Sequence, residues 1–460
     1  MEAVYTPEQM RYIDAHSGVD VAVLIRRAGY AVAQTALRML GGSYGKHVIV
    51  LAGKGNNGED GRVASDFLRA RGVKVSVFSS SEMPTQLPEC DLVIDAVYGT
   101  GLRSDFVAPT TKAPVLAVDI PSGIDATTGE CRGVPLRANE TITFGGLKPG
   151  VVLQPGRTYA GQITVVSLDL PVHLGVQVDE NTINVVTRND VEQWVPPRAP
   201  TTHKWKSGVR AIAGSKTMMG AAQLSCAAAY RAGAGIVHLS SIGGTPEIIA
   251  PLEVVYRSVS ETHWADQCLS DIERFASALI GPGMGRGDEL VEEVFQFVSR
   301  CPVPLVIDGD GLQILASSRD GQRRNVANFF AQRTAETVLT PHDGEFSALT
   351  GERPSADRIA DTRKAAAALQ AVVLLKGSTT VVAEPGGNVL CITNGDARLA
   401  TAGSGDVLTG VIAALLAVGL DAFHAAAAGA FIHGNALERL PQCGVVASDI
   451  VREIQVGGNE

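Results

Sequence analysis

The sequence has little of what would place a chain in an oxidising compartment, across a membrane or on nucleic acid. Its seven cysteines, at 90, 131, 226, 268, 301, 391 and 443, are never closer than 33 residues, which excludes a CxxC redox pair, a zinc knuckle and a disulfide framework. The longest apolar run, Val407 to Leu420, has 14 residues between two aspartates. A bilayer needs about 20, so the run predicts a buried core helix. Met1 to Glu8 carry neither a basic nor a greasy leader, from which a cytoplasmic protein is expected and the sequon at Asn139 is idle. Basic charge is short as well, 39 Lys and Arg against 48 Asp and Glu for a net charge of −9. That argues against nucleic acid or an anionic membrane as partner, and any bound phosphate must be held locally.

What is present suits a large globular protein. Hydrophobic residues make up 45% of 460 positions and charged residues 19%, enough for a sizeable core, and 50 glycines imply many tight turns and close backbone approaches. Helical spacing of apolar residues from Tyr5 to Leu40 gives way to short β-rich runs at His47–Ala52, Val73–Phe78, Asp91–Asp95, Pro114–Asp119 and Gln162–Ser167. A second alternating series holds Val209–Gly214, Ile236–Leu239, Ala278–Ile280, Pro304–Asp308, Thr337–Thr340 and Ala371–Lys376. Runs of this kind read as buried parallel strands. The proline-rich stretch Val195–Pro200 lies between the two series, which predicts two α/β domains, 1–198 and 199–460. The halves carry different motifs, so the chain is not a duplication.

In the first half, Gly53-Lys-Gly-Asn-Asn-Gly-Glu-Asp-Gly61 follows a strand run and satisfies GxGxxG. A dehydrogenase would place an acid near the end of the next strand to grip the ribose. Ser79, Ser80 and Ser81 stand there instead, leaving a tight strand-to-helix turn or a phosphate site of another kind. Two further strand ends are polar, Asp95 before Tyr98-Gly99-Thr100-Gly101 and Asp119 before Pro121-Ser122. Strand ends of a parallel sheet meet in one crevice. There Asn57, Asp95 and Ser122 would offer hard oxygen ligands suited to a bare cation rather than to zinc; the alternative is that the carboxylates only cap loops.

In the second half, Thr401-Ala-Gly-Ser-Gly-Asp406 opens a long apolar helix. Its glycines would let N–H groups converge on an anion, with Asp406 beside them as a base, as in phosphoryl transfer; the alternative is a glycine-rich helix cap. Lys376-Gly-Ser-Thr-Thr380 follows a strand run as a nucleotide contact would, and His342 is either a site residue or a loop histidine. His424 and His433 lie in an alanine-rich helical stretch and read as structural.

GKGNNGEDG, DAVYGTG, DIPSGIDA and TITFGGLKPG stand in the order and spacing of the NAD(P)H-hydrate epimerase family, which residues 5 to 190 resemble. The resemblance implies a Rossmann-like fold that interconverts the C6 epimers of hydrated NADH and NADPH. By motif, Asn56, Asn57, Gly58, Glu59, Asp60, Gly99, Thr100, Gly101, Leu102, Arg103, Ser104, Asp105 and Asp119 would hold the substrate. Asn57, Asp95 and Ser122 would hold potassium, and Asp119 would be the general acid/base. Two positions depart from the family, Glu59 where it has glycine and Ile25-Arg26 where it has Met-Glu. Glu59 is expected to start the following helix and to point to solvent.

HKWKSG, GPGMG, Asp308-Gly-Asp310, TPHDGE and TAGSGD form a second ordered set. Over residues 200 to 455 it resembles the ADP- or ATP-dependent NAD(P)H-hydrate dehydratase family, with a ribokinase-like α/β sandwich. The resemblance implies Ala222, Gly285, His342 and Asp406 at the hydrate, Asp406 as catalytic base, and Lys376, Gly377, Ser378, Thr379, Thr380 and Gly405 at the nucleotide, which arrives with Mg2+. The fusion resembles bacterial forms, which favours ADP as donor. The expectation is a bifunctional repair enzyme, a cytoplasmic homo-oligomer with small-molecule partners only. Its rivals are a ribokinase-class small-molecule kinase fused to a non-catalytic nucleotide-binding domain, and a first domain that Glu59 has disabled.

Overall fold

The computed structural model describes residues 1–102, 104–243, 251–319, 322–323 and 329–457. The chain divides between Ile183 and Asn184 into two units, ahead of the boundary expected at 198. The reason is long-range pairing: after Ile183–Val185 the Val186 N–H donates to Cys391 O at 3.0 Å, and Trp194, closing the helix Arg188–Trp194, packs its ring edge-on against His424. The proline-rich stretch therefore lies inside the second unit. Among the described residues no helix is long and apolar enough to cross a membrane.

In the first unit six strands form a sheet in the order Lys74–Ser79, His47–Ala52, Leu92–Ala96, Val115–Val118, Glu140–Phe144 and Gln162–Val166. All neighbours run parallel. Side chains alternate across it: Val48, Val50 and Ala52 face the helices Val21–Leu40 and Asn56–Ala70, while Ile49 and Leu51 join Val93, Ala117 and Phe106 on the other side. The first strand has neighbours on both sides, so the order reverses there, and the crevice at such a switch point is where open α/β sheets bind ligands. The helix Pro7–His16 starts from a Thr6–Gln9 capping box with proline at its first position. It sends Met10 and Ile13 into the same core.

The second unit repeats the logic with parallel strands Val372–Leu375, Thr337–Leu339, Leu305–Ile307, Ser277–Ile280, Gly208–Ile212, Ile236–Ser240 and Val255–Tyr256 side by side. Thr380–Ala383 and Val389–Ile392 extend it as an antiparallel pair. The buried helices Met219–Arg231, Ser404–Ala417 and Ala422–Asn435 share its core, and their many alanines allow close helix approach. The predicted core helix is thus present, beginning at Ser404 and ending at Ala417.

The glycines after the first strand act through packing. A Cβ on Gly53 would lie 2.0 Å from Val97 O, and one on Gly58 2.0 Å from Gly53 O. The turn is tight enough that the helix begins at Asn56, so Gly58 belongs to its first turn rather than to a loop. Gly58→Ala should cost the first unit about 2–3 kcal/mol, read by urea unfolding, whereas Gly55→Ala, with open space around it, should stay within about 0.5 kcal/mol of the parent.

Candidate active sites

A cleft of about 730 Å3 opens at the strand ends of the first unit. Asn56, Asn57, Asp60, Gly99, Thr100, Gly101 and Asp119 line it, together with Ser80 and Ser81, while helix residues Leu24, Ile25 and Ala28 supply an apolar wall. Gly58 is buried beneath the turn, and Leu102, Ser104 and Asp105 stand off the wall. Arg103 lies outside the described residues.

Asp119 has φ +66°, a strained conformation for a residue with a Cβ and one that concentrates at functional positions. Its Oδ1 accepts from Lys148 Nζ at 2.6 Å and from Thr143 Oγ1 at 3.1 Å. Lys148 is almost fully buried, and its other hydrogens go to Thr143 Oγ1 at 2.9 Å and Phe144 O at 2.7 Å, so all three donors of the ammonium are used. On the open side, a Cβ at Gly99 would lie 2.9 Å from Asp119 Oδ2 and 3.4 Å from Asn57 Oδ1. Glycine there leaves the room that both groups face.

Around this ion pair the other carboxyls are short of positive charge. Burial first, then Asp119, Asp14 and Glu59, push Asp60 up to about 8, so it carries a proton at neutral pH. Asp14, from the first helix, is also raised, by burial and by Asp119 against the pull of Lys148. Glu59 lies in the first helical turn with its side chain half exposed and 2.6 Å from Arg62 Nη1. Arg62 Nη2 in turn donates to Gly53 O at 2.7 Å. Asp95 and Ser122 are fully buried behind the wall. Ser122 N–H donates to Asp95 Oδ2 at 2.8 Å, Ser122 Oγ to Asp95 Oδ1 at 2.6 Å, and Tyr98 N–H to Ser122 Oγ at 2.9 Å. The three groups tie two strand-end loops together.

In the second unit the helix Ser404–Ala417 starts from Gly403 at φ +87°, and no side chain caps it. The N–H groups of its first turn are thus left without a side-chain cap, at the positive end of the helix dipole. Lys376 Nζ donates to Asp308 Oδ1 at 2.6 Å and Thr409 Oγ1 to Asp308 Oδ2 at 2.6 Å. A Cβ at Gly405 would lie 3.2 Å from Lys376 Nζ and 3.6 Å from Asp308 Oδ2. Asp406 is pushed up to about 7, chiefly by burial, with Asp308, Asp310 and Glu345 adding to it and Lys376 opposing. Lys376, Gly405 and Asp406 thus come together. Gly285 N–H donates to Asp310 Oδ2 at 3.0 Å, and Asp310 is one of the carboxyls that raise Asp406.

The remaining expected residues have other surroundings. His342 caps the helix Asp343–Thr350, its Nδ1 accepting from Gly344 N at 3.0 Å and Glu345 N at 3.2 Å, which leaves the proton on Nε2. Ala222 is fully buried, with the Cβ position of Gly214 3.0 Å from its own. Gly377 and Ser378 are exposed, Thr379 is buried, and Thr380 opens a strand. His433 does more than fill the core: its Nε2 lies 3.1 Å from Ser404 Oγ, at the start of the helix Ser404–Ala417.

Residues 209–455 match the family described as NAD(P)H-hydrate dehydratase, and residues 21–90 and 79–150 match the YjeF-related protein N-terminus. The bifunctional NAD(P)H-hydrate repair enzyme of Thermofilum pendens is 34% identical over 474 residues, 91% of this chain and 87% of its own. That of Mycobacterium leprae is 36% identical over 446 residues, 90% of this chain and 88% of its own. The chain belongs to the bifunctional NAD(P)H-hydrate repair enzyme family. A ribokinase-like superfamily protein from Enterococcus faecalis, 21% identical, covers 59% of this chain and 94% of its own with a TM-score of 0.50, in keeping with the fold of the second unit.

In this member of the repair family several site residues went unmarked in the sequence. Lys148 and Thr143 lie within TITFGGLKPG, Asp308 and Asp310 within their own motif, and the lysine–aspartate pairings were the missing inference. Asp14 gave no signal, because nothing in a short amphipathic helix says that one polar residue faces a cleft.

Asp60 supplies a stability test. Its folded pKa lies above the ordinary carboxyl value, so the folded state keeps a proton that the unfolded chain releases, and stability falls as pH rises from about 4 to 8. Asp60→Asn should raise first-unit stability at pH 8 by about 1–3 kcal/mol and leave it nearly unchanged at pH 4, as measured by denaturant midpoints.

Proposed function

We propose that the protein repairs hydrated NADH and NADPH, its first unit interconverting the two C6 epimers and its second unit removing water with a nucleotide as phosphoryl donor. What supports this is that each unit gathers a proton-handling carboxyl cluster at its strand ends, on a chain both of whose halves match the repair family. That also favours it over a ribokinase-class kinase fused to a non-catalytic domain.

The hydrate carries a hydroxyl on C6 beside the ring nitrogen N1. Inverting C6 requires one bond at that carbon to open and to reclose on the other face, with a proton given at opening and taken back at closing. Asp119, held by Lys148 and turned toward the cleft, would take and return that proton, while Asp60, protonated at neutral pH, would stand as an acid on the same wall. Asn56, Asn57 and the Gly99–Gly101 turn would position the dinucleotide. The exposed carboxylate of Glu59 is paired with Arg62 and would stay off the ligand. Potassium would be held by Asn57, Asp95 and Ser122, an amide, a carboxylate and a hydroxyl of the hard oxygen class. Asp95 fits that role, being fully buried with only Ser122 and Val97 groups to offset the burial. The ion would supply positive charge behind the cleft.

In the second unit Asp406 would take the C6 hydroxyl proton as the oxygen attacks the terminal phosphorus of the nucleotide. Lys376 and the N–H groups at Gly405 would stabilise the charge on the phosphoryl oxygens. The C6–O bond then breaks as the N1 lone pair enters, C5 loses a proton, and the dihydropyridine returns with release of phosphate and, from ADP, of AMP. Among the described residues no group of three or more His, Cys, Asp and Glu is placed to hold a metal. Magnesium would come with the nucleotide phosphates, near Asp308 and Asp310, and supply charge neutralisation there. A cytoplasmic homo-oligomer is part of the same reading, with exposed Val23 and Tyr30 on one helix as apolar surface for it to cover.

With ADP and magnesium the protein should restore the near-ultraviolet absorbance of reduced cofactor from both epimers; recovery of one epimer only would mean that the first unit is inactive. Asp406→Asn should abolish dehydration and spare epimerisation, and Asp119→Asn the reverse, each by about 100- to 10,000-fold. Because Asp406 acts ionised and its pKa is about 7, dehydration kcat/KM should fall as pH drops below about 7. A flat profile from pH 5 to 8 would remove Asp406 as the base.

A further inference from the structure

His433 and Ser404 form a buried pair that the chemistry above does not use. Ser404 is the first residue of the helix whose N–H groups make the anion site, and His433 comes from the neighbouring helix Ala422–Asn435. Both are almost fully buried, with Nε2 3.1 Å from Oγ. A serine that follows the cap residue, here Gly403, has a ready alternative: its hydroxyl can accept from a backbone N–H close by, such as the one two residues on. The N–H groups there are the ones a transferring phosphoryl group needs, and here no side chain takes them.

We propose that His433 is a positioning residue for phosphoryl transfer, holding the Ser404 hydroxyl away from the helix start so that the N–H groups at Gly405 and Asp406 stay free for the nucleotide's terminal phosphate. The arrangement needs a neutral imidazole, since a second cation behind the anion site would change the field that Lys376 and the helix dipole set. Burial, with Lys376 adding to it, holds His433 down to about 4, so it is neutral wherever the enzyme works. The inference rests on reading the second unit as a nucleotide-dependent dehydratase, and binding of ADP alone gives it a readout independent of turnover.

The test is a cycle of variants in the full-length protein. His433→Phe keeps the volume and loses the bond; it should slow dehydration by about 10- to 100-fold, weaken ADP binding in calorimetry and leave epimerisation unchanged. Ser404→Ala has no hydroxyl to restrain, so it should stay near parent activity, and in its background His433→Phe should cost little, a strongly non-additive cycle. His433→Gln, which still offers a hydrogen-bonding group, should recover much of the rate. Should His433→Phe refold poorly, the Gln and Ser404→Ala variants still carry the comparison. The proposal is overturned if His433→Phe dehydrates and binds ADP like the parent, or if its loss is the same with and without the Ser404 hydroxyl, which would mark His433 as packing alone. A parent protein that binds ADP but never dehydrates the hydrate would sink the dehydratase reading while leaving the ADP-binding comparison intact.

Discussion

Each unit is organised around one lysine committed to one aspartate at the end of its strands: Lys148 with Asp119, and Lys376 with Asp308, both at 2.6 Å. A buried charge is tolerable only when paired and hydrogen-bonded, and one ammonium cannot neutralise several carboxylates at once. Burial, with the neighbouring carboxylates adding to it, raises the acids that are left over, Asp60 in the first unit and Asp406 in the second. Groups able to exchange protons near neutral pH thus arise from burial first, and then from neighbouring carboxylates that a single lysine does not offset.

The sheets place these clusters without contributing chemistry. A parallel strand delivers its C-terminal residue to the same edge as its neighbours, so Ala52, Ala96 and Val118, far apart in sequence, end side by side, and whatever follows them shares a crevice. The loops close tightly there because Gly53 and Gly58 let backbone meet backbone. The second unit builds the corresponding edge from Ile280, Ile307 and Leu339, which set the glycine turn at 281, Asp308 and Thr340 beside one another.

Much of this was legible in the sequence, because β-branched runs ending in Gly, Asp or Ser mark buried parallel strands and their functional ends. The strand Glu140–Phe144 is harder to see: its two threonines dilute the apolar signal, and both are buried through contacts that sequence does not show, Thr141 donating to Ala160 O and Thr143 to Asp119. The antiparallel pair at Thr380–Ala383 and Val389–Ile392 was hidden by the surrounding parallel series. The domain boundary was drawn at the prolines because composition marks stiffness, whereas the pairing that assigns residues 184 to 194 is long-range. The pairing of His433 is hidden for the same reason, its partner Ser404 being 29 positions away. Asp14 and the pairing of each lysine required the fold itself.

The enclosure of Lys148 also bears on its reactivity. An amine acts as a nucleophile through its lone pair, and an ammonium whose three hydrogens are shared among Asp119, Thr143 and Phe144 has none to offer. Exposed lysines such as Lys54 at the rim of the cleft are open to acylation and to imine formation with aldehydes. Lys148 is closed to both, so the cation that holds the first site together is sheltered from the electrophiles that wear on surface amines.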